Sequence, residues 1–379
     1  MTKKIDLIVK NGSYVTHNKT IKGDIAVHKG KIFRVGNTSD LKASKTIDAR
    51  GLHILPGAID TQVHFREPGN TDKEDLKSGS RAAVAGGITT VFDMPNNNPS
   101  MSTKTLFKKK LNGAKNRMFC NYAFYFGAEK NNTTEIKKME KEVGCCGIKV
   151  FVGVSTGTLI VSDYKDIKRI MKSTKKMISF HSEDQYELNK REKFIKRGDP
   201  KSHPKWRNES VCLICTKNLV KLANQTKKKI HILHITTAEE IELLNKNKKY
   251  VSYEVTPQHL VLSSPSCYDK LGTLAQMNPP IRSLRHNKRL RQALKNNEID
   301  IVGSDHAPHK LSEKKLEYPD SPSGMPGVQT LLPILLNEVS KKMISINNVV
   351  ELTSYNPCLL YTSDAADDSL RVDLGGRRI

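Results

Sequence analysis

The sequence has few of the features that mark membrane, secreted or disulfide-rich proteins. No run approaches the roughly 18 apolar residues that a membrane span requires, and the first residues, MTKKIDLIVKNG, lack the apolar core of a signal peptide. Tryptophan occurs once, and aromatic residues make up only 6% of the chain. We therefore expect a cytoplasmic protein that does not associate with a membrane.

The seven cysteines do not indicate a disulfide framework or a zinc cluster. Their number is odd and their spacing is irregular. The one C-x-x-C pair, Cys212 and Cys215, lies in an apolar segment without a second pair to complete a tetrahedral site. We expect buried thiols in a reducing compartment.

The formal net charge is +24, but the sequence lacks the other signatures of a nucleic-acid-binding protein. A strongly basic domain is typical of such proteins. Here, however, the basic residues form short scattered runs such as 108–110 and 227–229, without interleaved aromatics. No zinc-finger, RRM or helix-turn-helix pattern accompanies them. We interpret these runs as solvated faces and expect no nucleic-acid partner.

Two patterns divide the chain into a strand-rich N-terminus and a repeating α/β region. Residues 1–57 contain short apolar runs separated by Asn-Gly and Lys-Gly turn signals, which predict a series of short β-strands. Over residues 58–358, β-rich runs alternate with helical stretches. Eight such units predict a TIM (β/α)8 barrel, with strands at residues 58–65, 89–95, 121–127, 147–153, 177–184, 229–237, 250–256 and 300–308.

The sequence also predicts the limits of the first barrel helix and the character of the chain after residue 358. The helix after the first strand is predicted to be capped by Thr71 or Asp72 and to end at Gly86 and Gly87. After residue 358 the composition changes, and we interpret residues 359–379 as a non-native tail.

Reactive side chains recur at the predicted carboxyl ends of the barrel strands, where TIM barrels place their active sites. A single histidine at such a position is more often a hydrogen-bonding residue than a ligand. A lysine in an apolar strand is harder to explain, because an unpaired buried ammonium is costly. Recurrence on five strands therefore predicts one site, formed by His64, Lys149, His181, His234 and Asp305.

Three imidazoles, a carboxylate and a buried lysine suit a divalent metal, most naturally zinc. An ammonium cannot coordinate, but a neutral lysine reacts with carbon dioxide, and the carbamate can bridge two metals that activate water. Asp305 can then take a proton and return it to a leaving nitrogen. This chemistry predicts hydrolysis of amides, especially cyclic ones, or the reverse ring closure.

These segments resemble the amidohydrolase superfamily and, within it, the dihydroorotases of the longer bacterial type. The resemblance covers roughly residues 5–358 and includes PGAIDTQVHFREPG (56–69), GIKVFVGVSTG (147–157), HSEDQ (181–185) and GSDHAPH (303–309). It implies reversible, metal-dependent conversion between L-dihydroorotate and N-carbamoyl-L-aspartate in pyrimidine biosynthesis. The substrate is then a small molecule. The resemblance also implies that residues 1–57 are the N-terminal part of a small β-sandwich. If residues 359–379 are a non-native tail, the return strands of this sandwich are missing and the N-terminal strands have unpaired edges.

The resemblance also implies a role for each site residue. His64 would bind the more buried metal, Lys149 would be the carboxylated bridge, and Asp305 would be ligand and general base. His181 and His234 would hold the second metal. The substrate carboxylate would be bound by a trio whose donors suit a planar anion, with an asparagine at the ring edge: Arg66, Asn96 and His309, and Asn278.

One position departs from the family pattern. The opening His-x-His motif is here Gln62-Val63-His64, and a carboxamide oxygen is a weaker ligand than an imidazole. We therefore expect fewer than two tightly bound zinc ions per chain, with Gln62 the weakest ligand. Whether one or two metals bind stays open.

Three alternatives stay open beside this interpretation. A hydantoinase, dihydropyrimidinase or allantoinase would share the barrel and metals but have less use for Arg66, Asn96 and His309, because its substrate lacks the ring carboxylate. A non-catalytic homologue that supports aspartate carbamoyltransferase would account for Gln62. A nucleic-acid binder would rest on charge alone. The resemblance also leaves open a homodimer.

Overall fold

The computed structural model describes residues 4–154 and 159–362. Its N-terminal part is a sheet of five strands, in which β2 pairs antiparallel with β1 and β3, while β4 and β5 run parallel to β1. One side packs in a small cluster around Ile5 and Ile8. Among the described residues this part is a single layer: β1 (Lys4–Val15), β2 (Thr20–His28), β3 (Lys31–Gly36), β4 (Lys42–Asp48) and β5 (His53–Ile54).

Eight parallel strands form a second sheet whose spatial order follows the chain. They are β6 (Ala58–Val63), β7 (Ile88–Asp93), β8 (Asn121–Gly127), β9 (Cys145–Phe151), β10 (Ile178–His181), β11 (Ile230–Ile232), β12 (Val251–Val255) and β13 (Ile301–Val302). A parallel bridge between Val63 and His306 joins the first strand to the segment after the last one. All eight predicted strands are present, and the prediction of a TIM barrel is confirmed.

Helices surround this barrel and bury apolar side chains against its strands, which explains why the strands read as continuous apolar runs. No helix among the described residues is long and apolar enough to cross a membrane. The helices are α1 (Leu76–Ala85), α2 (Lys104–Ala114), α3 (Thr133–Lys138), α4 (Tyr164–Ser173), α5 (Gln185–Arg191), α6 (His203–Trp206), α7 (Glu209–Thr226), α8 (Ala238–Asn245), α9 (Pro257–Val261), α10 (Ser266–Leu271), α11 (Leu284–Lys295), α12 (Leu311–Lys314), α13 (Leu331–Ser340), α14 (Ile346–Val350) and α15 (Asn356–Thr362).

The first barrel helix begins later than the sequence predicted. Its N-cap is Asp75, whose carboxylate accepts a hydrogen bond from the Ser78 N–H at 2.6 Å. Asp72 instead forms an ion pair with Lys310, so the predicted cap at Thr71 or Asp72 is wrong. The predicted end is confirmed, because Gly86 is the C-cap residue.

The last helix extends beyond residue 358. Tyr361 is buried, and its ring packs edge-on against Phe92 and Tyr125 of the barrel strands. The Tyr125 hydroxyl donates to the Tyr361 hydroxyl at 2.7 Å, and Ser179 Oγ lies 3.2 Å from the same oxygen. The first residues of the segment interpreted as a non-native tail thus pack against the barrel. Residues 363–379 lie outside the described residues, and the tail stays a prediction.

Candidate active site

A cavity at the carboxyl end of the barrel gathers the residues that the sequence singled out. Phe151, Ala307, Ser323 and Gly324 complete its wall. His309 lines an adjoining cavity that shares Arg66 and Asn96 with the first. The other nine predicted residues line the first cavity itself: Gln62, His64, Arg66, Asn96, Lys149, His181, His234, Asn278 and Asp305.

Gln62 and His64, on and just after β6, both contact the carboxylate of Asp305. The Gln62 side-chain N–H donates to Asp305 Oδ1 at 2.8 Å, and His64 Nε2 lies 3.1 Å from the same oxygen. The carbonyl oxygen of Gln62 is buried without a hydrogen-bond partner. Asp305 is therefore held by two side chains from the opposite edge of the barrel seam.

Lys149 is fully buried in β9, and its ammonium has no hydrogen-bond partner. The nitrogen lies 4.6 Å from the centroid of the Phe151 ring. Burial lowers the pKa of Lys149 to about 7, although Asp305 acts in the opposite direction. A substantial share of Lys149 is consequently neutral near neutral pH, the form in which a lysine is nucleophilic.

His181 and His234 form a buried pair, with 3.0 Å between His181 Nδ1 and His234 Nε2. Glu183 accepts a hydrogen bond from the other ring nitrogen of His181 at 2.9 Å. Although burial raises the pKa of Glu183, the guanidinium of Arg207 and the His181 contact lower it to about 2. The ionised Glu183 therefore keeps the proton on His181 Nε2, and the lone pair of His181 Nδ1 faces His234 Nε2.

Arg66 and His309 meet at the mouth of the cavity. Arg66 Nη2 lies 3.2 Å from His309 Nε2, and Arg66 Nε donates to the carbonyl of Pro308 at 3.0 Å. Burial, together with the nearby Arg66, lowers the pKa of His309 to about 3. His309 is thus neutral at physiological pH, and this part of the site carries the positive charge of Arg66.

Two asparagines are fixed by histidines. Asn96 Oδ1 lies 2.8 Å from His64 Nδ1, which links the predicted carboxylate-binding trio to the Asp305 cluster. Asn278 Oδ1 lies 3.0 Å from Nε2 of the buried His203. His203 is a residue that the sequence analysis missed, because a histidine in the polar stretch before α7 gives no signal of where it packs.

The backbone is strained where the site is built. His234 and Asp305 adopt left-handed conformations, with φ of 41° and 48°, which are uncommon for residues other than glycine. Such strain concentrates at functional sites, where the surrounding structure imposes it. Position 324 has no room for a side chain, because a Cβ on Gly324 would lie 2.5 Å from the carbonyl oxygen of Ala307.

The histidine and carboxylate side chains of the cavity do not by themselves form a conventional metal site. Across residues 4–154 and 159–362, no three His, Cys, Asp or Glu side chains are grouped so as to hold a metal ion. The cavity instead holds two pairs, His64 with Asp305 and His181 with His234. Lys149 interacts electrostatically with Asp305 and with both histidines of the second pair. These residues fit a divalent metal when Lys149 carries an anionic donor such as a carbamate.

Comparison with known proteins identifies the family of this chain. The amidohydrolase family matches residues 53–365. A dihydroorotase from Methanosarcina acetivorans is 33% identical over 95% of this chain and 79% of its own length, and one from Pyrococcus horikoshii is 34% identical over 94% and 78%. The structure of an L-hydantoinase (dihydropyrimidinase) from Arthrobacter aurescens superimposes with a TM-score of 0.90 at 27% identity, covering 94% and 82% of the two chains. The chain therefore belongs to the amidohydrolase family, as a cyclic amidohydrolase related to the dihydroorotases.

Proposed function

We propose that this protein is a dihydroorotase, which interconverts L-dihydroorotate and N-carbamoyl-L-aspartate in pyrimidine biosynthesis. The observation that carries the proposal is the position of Arg66, which projects into the same cavity as Lys149 and Asp305. A buried guanidinium beside the reacting groups suits a cyclic amide that bears a ring carboxylate. The curated relatives named dihydroorotase support the same substrate.

The substrate carboxylate would be held by Arg66, Asn96 and His309. Arg66 offers a planar fork of donors, and its Nε is already fixed on the Pro308 carbonyl. His309 is neutral because of burial beside Arg66, so it binds the anion by a hydrogen bond without adding charge. Asn278, held by His203, would contact the ring edge.

Family membership implies a divalent metal, and we propose that it is zinc. His181 and His234 would hold one ion together with a carboxylated Lys149, whose neutral fraction and lack of a partner suit carbamate formation. His64 and Asp305 would hold the other, more buried ion less tightly, with Gln62 as the poorest ligand. When bound, the metal lowers the pKa of water and polarises the amide carbonyl.

The proton would be moved by Asp305. Its Oδ1 accepts from Gln62 and lies against His64, so the carboxylate is fixed in orientation. A fixed carboxylate at this place can take a proton from the attacking water and return it to the departing ring nitrogen. The backbone of Asp305 is left-handed, and its side chain lines the cavity.

A hydantoinase or dihydropyrimidinase is the second candidate, and the fold similarity to the Arthrobacter enzyme favours it. It leaves Arg66 without a substrate partner, because those substrates carry no ring carboxylate. Assays with dihydroorotate, dihydrouracil, hydantoin and allantoin, together with metal analysis of the same preparation, test the proposal. We expect turnover of dihydroorotate alone, and preferred turnover of hydantoin or dihydrouracil would refute it. Absence of all activity with zinc or manganese added would favour a non-catalytic homologue.

The proposal also includes the cellular compartment and the protein partners. Buried cysteines such as Cys145, Cys212 and Cys215 are free thiols, which suits a reducing cytoplasm. A homodimer and a complex with aspartate carbamoyltransferase follow from the resemblance to dihydroorotases. Size-exclusion chromatography with light scattering, alone and with the transcarbamoylase, tests both.

A further inference from the structure

Lys110 is a buried lysine outside the cavity. It lies on α2 in the basic run 108–110, which the sequence analysis interpreted as solvated, and for Lys110 that interpretation is wrong because its side chain is only 1% exposed. Its ammonium lies 2.6 Å from Asp93 Oδ2 and donates to Asn97 Oδ1 at 2.7 Å. The Phe124 ring covers it, with the centroid at 4.7 Å. A buried ammonium is tolerated only with such partners.

Both partners of Lys110 hold one peptide segment. Asp93 Oδ1 accepts from the N–H of Phe65 at 2.9 Å, and the Asn97 side-chain amide donates to the carbonyls of Phe65 and Glu67, each at 3.0 Å. The Phe65 ring is itself fully buried. The residues on either side of Phe65 are His64 and Arg66, which line the cavity.

We propose that Lys110 is a positioning residue for the active site, because it ties Asp93 and Asn97 together and they fix the backbone that carries His64 and Arg66. The proposal rests on the proposed function, in which Arg66 binds the substrate carboxylate. Binding of a planar anion requires its binding groups to be placed within about 0.5 Å. Greater mobility of the backbone at residues 64–66 therefore weakens substrate binding without removing any group that touches substrate.

The test uses variants that keep the interior electrically balanced. Lys110→Met alone leaves the Asp93 carboxylate buried without its cation and can prevent folding. The double variant Asp93→Asn with Lys110→Met removes both charges and keeps an oxygen to accept from Phe65. Lys108→Met is the matched control on the same helix, since Lys108 is 53% exposed and lies 3.7 Å from Glu142.

The first readout does not depend on activity. Amide hydrogen exchange over residues 64–67 should accelerate about 10-fold in the double variant and stay unchanged in Lys108→Met. Unchanged exchange in a folded double variant overturns the proposal, whatever the enzyme's substrate. Wild-type protein that does not turn over dihydroorotate contradicts the proposed function instead, and leaves this readout intact.

The second readout separates positioning from general loss of structure. We expect the double variant to raise the KM for dihydroorotate about 10-fold, with a smaller change in kcat. Added to Arg66→Met, the same two substitutions should raise KM less than about 2-fold further, because residues that act through one another are not additive. A KM equal to that of wild type, or a full additive increase in the Arg66→Met background, overturns the proposal.

Discussion

Gln62 donates a hydrogen bond of 2.8 Å to Asp305, so a carboxamide binds the carboxylate that the proposed reaction uses to move a proton. His64 lies 3.1 Å from the same carboxylate oxygen. A histidine at position 62 would present a nitrogen lone pair to a metal. Gln62 instead presents N–H groups to Asp305 and leaves a weak oxygen ligand unpaired.

Replacing Gln62 by histidine should increase metal binding. We expect Gln62→His to raise the tightly bound zinc from fewer than two ions per chain towards two, because an imidazole replaces the carboxamide oxygen. Elemental analysis after dialysis against a weak chelator measures the ratio, and Gln62→Leu, which offers no ligand atom, is the control. Two stoichiometric zinc ions in the wild-type protein would contradict the assignment.

Removing the guanidinium of Arg66 should weaken substrate binding. Arg66→Met is expected to cost about 3 kcal/mol, or roughly 100-fold in the KM for dihydroorotate, because a charge-assisted hydrogen bond to the carboxylate is lost. Steady-state kinetics measure this effect. Arg197→Met is the control, since Arg197 is 61% exposed and pairs with Glu317 and Asp320. Equal effects of the two substitutions would argue against a carboxylate-binding role.

Carboxylation of Lys149 should depend on pH. Only the neutral amine reacts with carbon dioxide, and with a pKa of about 7 the neutral fraction of Lys149 rises as pH increases through 7. With the dissolved carbon-13 carbon dioxide held equal at both pH values, the NMR signal of a lysine carbamate should therefore grow faster at pH 8 than at pH 6. The signal should be absent in Lys149→Met, and its persistence there would assign it to another lysine.

Acid should remove the stabilisation supplied by Glu183. Its folded-state pKa of about 2 lies below the ordinary value of 4.5, so the ionised carboxylate stabilises the fold above about pH 4.5, and this stabilisation is lost as pH falls towards 2. The shift corresponds to a contribution on the order of 3 kcal/mol at neutral pH. Urea unfolding should show Glu183→Gln well below wild type at pH 6 and the difference shrinking by pH 3. Glu317→Gln, at an exposed ion pair, is the control, and a constant difference for Glu183→Gln would contradict the prediction.

Truncation should distinguish the packed end of α15 from the residues that follow. A chain that stops at residue 358 loses Tyr361, which is buried and hydrogen-bonded to Tyr125, and should lose about 3 kcal/mol of unfolding free energy. A chain that stops at residue 362 keeps Tyr361 and lacks only residues 363–379 of the predicted non-native tail (359–379), so it should match the full-length protein. Equal destabilisation by both truncations would contradict that interpretation.

The sequence predicted the barrel and the convergence of its strand ends because both depend on short-range patterns. Alternating β-rich and helical segments fix the architecture, and His64, Lys149, His181, His234 and Asp305 share one end because parallel strands all end at the same face. The contacts of Lys110 and His203 could not be predicted in this way. Lys110 lies in a basic run, and only the tertiary packing of α2 against β7 and β8 shows that it is buried.

The seam of the barrel, where the segment after β13 meets β6, is expected to limit the heat stability of the active site. β13 has only two residues, and beyond it the edge is joined to β6 by the hydrogen bonds His64 N–H to His306 O, at 2.7 Å, and Ser304 N–H to Asp60 Oδ1, at 3.0 Å. The same short segments carry His64 and Asp305 into the cavity. Opening of this seam, a smaller event than global unfolding, already separates the reacting groups. We therefore expect activity to be lost on heating before the helical circular dichroism signal, because activity depends on these few inter-strand bonds.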